Sequence, residues 1–220
     1  ADPPSNPRGG LIFPEEHGSW VVMMAGANKD YPPVDEAGFD AFARSLGPEF
    51  HREVREGEPI SKPYGYRGTD SRRRHYELLE RWPERLVIMG DAICGFNPIY
   101  GQGMTVAALE ALTLGQELRR ADGRLDGVAQ RAIQSIARTT EGAWLLATSA
   151  DLEWPETTGA DAKQGLADRF GRWYLGKLLD AMSHDRALRL AFLDVNQLMK
   201  PVTSLFAPDL MLRVLRRTLF

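Results

Sequence analysis

The hydrophobic rhythm of the chain changes character along its length. Gly10-Leu11-Ile12-Phe13-Pro14 and Ser19-Trp20-Val21-Val22-Met23-Met24-Ala25 are nearly continuous apolar runs, and Glu15-Glu16-His17-Gly18 between them suits a hairpin turn. Apolar residues on both faces of each run predict a buried sheet. His17, in the turn, reads as solvated. Asp35 then precedes Phe39, Phe42, Ala43 and Leu46 at helical spacing, which predicts a capped helix stopped by Gly47-Pro48. From Pro59 to Arg67 the alternation is strand-like, and Tyr64 and Tyr66 are expected in a core ahead of lining a substrate pocket.

The most informative stretch begins at Arg85. Leu86-Val87-Ile88-Met89 is an apolar run of the kind a strand buried on both faces requires, and Gly90 ends it where the backbone can approach a ligand. Asp91 then stands at the carboxyl end of the expected strand, where open α/β sheets bind ligands, and a carboxylate there suits sugar or polyol hydroxyls. Downstream, Pro98 stiffens the turn, and Gly101 and Gly103 remove side chains that would screen the first amides of a helix. Met104, Ala107, Ala108, Ala111, Leu112, Gly115 and Leu118 fall on one face of that helix, a small and apolar face suited to close packing on a neighbouring layer. Arg119 and Arg120 complement its negative end, and Asp122-Gly123 closes it.

Beyond Gly123 the pattern is helical. Leu125, Val128, Ala129, Ala132, Ile133, Ile136, Ala137, Ala143, Trp144 and Ala147 keep one apolar face for about seven turns, so this helix needs a partner surface. Asp151 to Gly159 breaks the pattern. Further helices are predicted around Leu166, Phe170, Trp173, Tyr174 and Leu178, and around Leu188, Ala191, Phe192, Val195, Leu198 and Met199. Pro208 opens a last one, where Leu210, Met211, Val214, Leu215 and Leu219 interleave with Arg213, Arg216 and Arg217. This basic amphipathic tail is expected to dock on its own domain in preference to a membrane surface.

The order Gly90-Asp91-Ala92, Pro98, Gly101-Gln102-Gly103-Met104 and an alanine-rich helix resembles the second flavin-binding motif of the FAD-dependent monooxygenases related to para-hydroxybenzoate hydroxylase, the class A flavoprotein monooxygenases. The resemblance implies that Asp91 binds the ribityl chain of FAD. It implies that backbone at Gly103 and Met104 binds the pyrimidine edge of the isoalloxazine, with Pro98 near the reactive face. A reduced flavin carries negative charge at that edge, and a helix N-terminus stabilises an anion by about 0.3–2 kcal/mol. One position departs from the family pattern: Cys94 stands where many members have His. No catalytic side chain is carried over.

By the same resemblance the fold is α/β, or α+β in this fragment: part of a flavin-binding Rossmann-like domain, with a remnant substrate-domain sheet and a helical C-terminal region. The expected divisions are 1–83 for the sheet, 84–123 for the second FAD-binding segment and 124–220 for the helices. The family binds the ADP half of FAD with an N-terminal G-x-G-x-x-G, which this chain does not contain. The chain therefore reads as the C-terminal half of a longer protein, with the missing N-terminal half as its first partner. The implied activity is NAD(P)H-dependent oxidation of a hydrophobic or aromatic small molecule. The alternative is a flavin-free, non-catalytic module that binds a partner or a membrane through its helical end.

Composition narrows these readings without adding to them. With 220 residues and 43% hydrophobic content, a substantial core is within reach. A net charge of -3 and a pI near 5.9 give no general attraction to nucleic acid. Arg72-Arg73-Arg74 invites an anion site, but a solvated basic face paired with Glu77 and Glu80 is the favoured reading. Cys94 is the only cysteine, expected as a small buried residue; with no disulfide, no signal peptide and no run of about 18 apolar residues, a cytoplasmic location is expected. His17, His51, His75 and His184 are scattered, so no metal site is expected. No nucleophile-elbow or phosphate-loop pattern occurs.

Overall fold

In the computed structural model, which describes residues 5–159 and 165–219, the chain divides into two units: Ala1–Thr69 with Glu153–Thr157, and Asp70–Leu152 with Thr158–Phe220. Residues 1–4 of the proline-rich lead lie outside the described residues, as do the side chains of Leu166 and Leu219. The class is α+β. Helices accompany two small antiparallel sheets, and no parallel pairing occurs among the described residues.

In the first unit the hairpin forms as the apolar runs predict, with β1 (Arg8–Pro14) paired to β2 (Trp20–Gly26), Leu11 opposite Met23 and Ile12 opposite Val22. Residues alternate between faces, so one face carries Gly10 and Ile12 and the other Leu11 and Phe13. A Cβ on Gly10 would lie 2.6 Å from Leu46 and Phe50, so glycine lets the first face approach the helices. The second face is open: Leu11 is 55% and Met23 50% exposed. The expected two-sided burial does not occur, because helices cover only one side. Helix α1 (Glu36–Ser45) has the expected cap, with Asp35 accepting from the Gly38 amide at 2.8 Å. Gly47-Pro48 stops α1 but also starts α2 (Pro48–Glu56), which the hydrophobic pattern did not reveal; a proline is at home in a first helical turn. Pro59 to Arg67 forms no strand, and Ile60, Tyr64 and Tyr66 are about 80% exposed, so the expectation of core tyrosines is corrected.

The second unit is mainly helical. Two-residue strands β3 (Arg72–Arg73) and β4 (Cys94–Gly95) pair antiparallel, followed by α3 (Gly103–Ala121), α4 (Val128–Asp151), α5 (Leu166–Met182), α6 (Arg186–Asn196) and α7 (Pro208–Leu219). The predicted stripe of α4 is buried at Val128, Ala129, Ala132, Ile133, Ile136, Ala137, Ala143 and Ala147. Its partner surface is α3, joined by polar rungs as well as apolar contact: Thr113 to Thr139 at 3.1 Å and Ser135 to Glu117 at 3.0 Å. A second core gathers Tyr174 and Leu178 of α5, Leu188 and Val195 of α6, and Val214 of α7. Helix α7 thus docks by its apolar side within its own unit, and Arg213 pairs with Asp185 at 3.4 Å. No helix among the described residues is long and apolar enough to cross a membrane.

Two expectations about the central motif are corrected. Leu86 to Met89 forms no strand; extended chain becomes a strand only by pairing, and no partner lies alongside among the described residues. The small apolar face of α3 is packed only in part: Ala107 is half-buried beside Gly90, but Met104 is 89%, Leu112 61% and Leu118 45% exposed. The buried side of α3 is instead Val106, Glu110, Glu117 and Ala121. An uncovered stripe of this kind is unusual on a monomer. Expressed alone, the 220-residue chain should self-associate, measured as concentration-dependent sedimentation; a monomer at every concentration would contradict this.

Candidate functional site

The site is assembled on one face of α3. Gly103, Ala107 and Glu110 recur at helical spacing on that face, and the residues 90–92 turn lies along it. Gly90 has φ +62, a left-handed conformation that glycine adopts without strain, and a Cβ there would meet Ala107 at 4.0 Å. Its N–H donates to Glu110 Oε2 at 2.5 Å, and its carbonyl accepts from the Ile93 amide at 2.9 Å. One residue on, Asp91 is exposed, and its Oδ1 lies 3.9 Å from where a Cβ on Gly103 would stand. The acid and the helix start converge.

The loop between them is tied down on its other side. Asn97 Oδ1 accepts from the Ile99 amide at 3.2 Å and caps the short turn Pro98–Tyr100, where Pro98 is exposed. The Tyr100 hydroxyl donates to Asp151 at the end of α4, and burial together with that bond raises its pKa, so the phenol stays protonated. Gly101 is left-handed at φ +64, and nothing lies within 4 Å of a Cβ there. Gln102 turns inward, its amide donating to the Asn196 carbonyl at 2.8 Å, so it does not cap α3. The first amides of α3, at Gly103 and Met104, therefore have no side-chain cap, and the Met104 side chain points into solvent.

Charges around the turn divide into holders and an exposed acid. Arg74 donates to the carbonyls of Asp91 and Ala92 at 3.4 and 3.2 Å. Arg73 donates to the Ala137 carbonyl at 3.3 Å and sits 3.7 Å from Glu77, while Arg72 pairs with Asp70 at 3.2 Å. The expected solvated face paired with Glu77 and Glu80 is corrected in part: Arg73 does meet Glu77, but both side chains are largely buried, Arg72 pairs with Asp70, and Arg74 is recruited to the Gly-Asp turn. Glu110 is 0% exposed, and burial raises its carboxyl pKa, opposed by the Gly90 amide and helped by the charge of Asp91. Cys94 is 2% exposed, and burial pushes its thiol up to about 12 against the pull of Arg73, with Glu110, Asp91 and Glu77 adding to the rise. It packs among Ile93, Phe96 and Val106. Among the described residues no group of three or more His, Cys, Asp or Glu is placed to hold a metal.

Of the expected site residues, Gly90, Asp91, Gly101, Gly103 and Met104 gather around the start of α3, with Pro98 on the adjoining turn. Glu110, Arg74, Tyr100 and Gln102 were missed. Glu110 carries a sequence signal, since an acid two helical turns after Gly103 shares its face; Tyr100 and Gln102 lie in the loop itself, but their partners Asp151 and Asn196, like Arg74, are brought there by folding that spacing does not reveal.

No family model matches the chain. Over 169 residues it is 31% identical to Protein Rv3254 of Mycobacterium tuberculosis (strain ATCC 25618 / H37Rv), a match taking in 75% of the chain and 34% of that protein. The chain spans about a third of the length of this curated relative.

Cys94 should resist iodoacetamide in the native protein and react once denatured, because its thiolate is disfavoured and enclosed. Rapid native labelling, read by mass spectrometry, would contradict this burial. Glu110, flanked by Asp91 on the turn and Cys94 on β4, gives a pH dependence of defined sign. Its folded pKa is raised, so its contribution to stability is complete below the ordinary carboxylate range and declines as pH rises through the raised value. Glu110→Gln should flatten that decline in urea midpoints measured between mildly acidic and mildly alkaline pH.

Proposed function

We propose that this chain is the C-terminal part of an FAD-dependent oxidoreductase of the monooxygenase type, acting with NAD(P)H on a hydrophobic or aromatic small molecule in the cytoplasm. The observation that carries the reading is the convergence of the Asp91 carboxylate with the uncapped start of α3 across a glycine. A carboxylate is an acceptor for ribityl hydroxyls, and free helix amides suit the electron-rich edge of a flavin. Gly103 adds support: it is helical, and a Cβ there would touch only Asp91 Oδ1 at an ordinary 3.9 Å, so packing does not demand a glycine. A ring lying against that amide does.

In this reading Asp91 holds the ribityl chain, Gly103 and Met104 offer backbone N–H groups to the pyrimidine edge, and Gly90 and Gly101 let the backbone bend close. Pro98 stands beside the ring. The flavin supplies the electron transfer and oxygen chemistry; the chain supplies orientation and the field of the helix end. The remaining polypeptide is assigned the ADP half of the cofactor and the sheet neighbours of Leu86 to Met89. The uncovered stripe of α3, at Met104, Leu112 and Leu118, supports this division.

The full-length protein should purify yellow, with bound flavin absorbance, and Asp91→Ala should weaken FAD binding by about 1.5–3 kcal/mol through lost charge-assisted hydrogen bonds. A stable, colourless full-length protein that takes up no FAD would overturn the enzyme and favour the flavin-free binding module. FAD binding that is indifferent to Asp91→Ala would overturn the assignment of the carboxylate alone.

A further inference from the structure

One buried acid has no part in the reading above. Glu110 is fully enclosed, its Oε2 accepts the Gly90 N–H at 2.5 Å, and its Oε1 has no hydrogen-bond partner among the described residues. Burying a carboxyl group that is only half satisfied is costly, and an apolar side chain would fill the space at less expense. Fastening α3 to α4 does not explain it. That junction already has the Thr113–Thr139 and Ser135–Glu117 rungs, whereas Glu110 reaches the turn.

The turn is gripped from both sides. Glu110 takes the amide that leads into Asp91, and Arg74 takes the carbonyls of Asp91 and Ala92 that lead out of it. The residue between the two grips is Asp91. Glu110 and Gly103 lie seven residues apart on one face, about 10 Å along the axis, so the same rigid rod carries the free amides and the grip. We propose that Glu110 is a positioning residue, which through the Gly90 N–H holds the Asp91 carboxylate at the Gly103 end of α3. The ligand in this proposal rests on the flavin reading; the positioning does not.

The test uses the full-length protein and pairs Glu110→Gln, which keeps an acceptor for Gly90, with Glu110→Met, which keeps the length without one. FAD affinity is read by flavin fluorescence, each substitution being made alone and with Asp91→Ala. Glu110→Gln should stay within about 3-fold of the parent, and Glu110→Met should weaken binding about 10-fold. In the Asp91→Ala background Glu110→Met should cost less than about 2-fold, because a residue acting through Asp91 has nothing left to position. An equal loss in both backgrounds would reduce Glu110 to a structural tie and overturn the proposal.

A second readout needs no flavin: the NMR signals of the Gly90 amide and the Asp91 carboxyl carbon. Glu110→Gln should leave both nearly in place, and Glu110→Met should move both. An Asp91 signal unmoved by Glu110→Met overturns positioning, whether or not the protein binds FAD. Absence of FAD binding in the parent strikes the flavin reading alone and leaves this second readout to decide.

Discussion

The hydrogen bond from Gly90 to Glu110 is the constraint on which the geometry of the site depends. It joins a left-handed glycine to a helix two turns beyond that helix's start, and so converts a flexible Gly-Asp sequence into a turn with one orientation. Without it the turn would keep its own Ile93–Gly90 hydrogen bond and the Arg74 grip but would lose its tie to α3. With it, and with Arg74 on the far side, the acid and the helix amides form one assembly.

Helix α3 is the organising element of the second unit because its sides do different work. One side joins α4 through threonine, serine and glutamate rungs, and the adjoining face carries the Gly-Asp turn. The third side, with Met104, Leu112 and Leu118, faces solvent. Leu86 to Met89, just before the turn, is likewise without a ladder partner among the described residues. The two differ in burial: Val87, Ile88 and Met89 pack against the core around Ile93 and Val106, whereas Met104, Leu112 and Leu118 are exposed.

Helix periodicity carried most of the fold. The stripe of α4, the start of α3 at Gly103 and its end at Ala121, and the cap at Asp35 all follow from local rules, because caps and amphipathic faces are written in neighbouring residues. Strands were harder to read. The hairpin was legible, since its two runs pair with each other, but Leu86 to Met89 and Pro59 to Arg67 had the composition of strands without partners to make them so. Helix α2 was hidden behind a proline that opens a helix as readily as it ends one. At the site, glycines and the acid were visible as a motif. The burial of Glu110 was not: its spacing places it on the face of Gly103, but an acid among alanines and leucines normally marks the wet side of a helix, and here it marks the opposite one.

That inversion bears on how the sequence of α3 can drift. On an ordinary surface helix roughly half the positions answer only to water and can vary freely. Here the dry side contains acids, and the outward side contains methionine and leucine. Substitutions that would be conservative elsewhere are not so here: an aliphatic residue for Glu110 removes the acceptor of the Gly90 amide, and a lysine for Leu112 changes the exposed apolar stripe. The latitude left to this helix lies at positions such as Thr105 and Gln116, exposed and outside both surfaces.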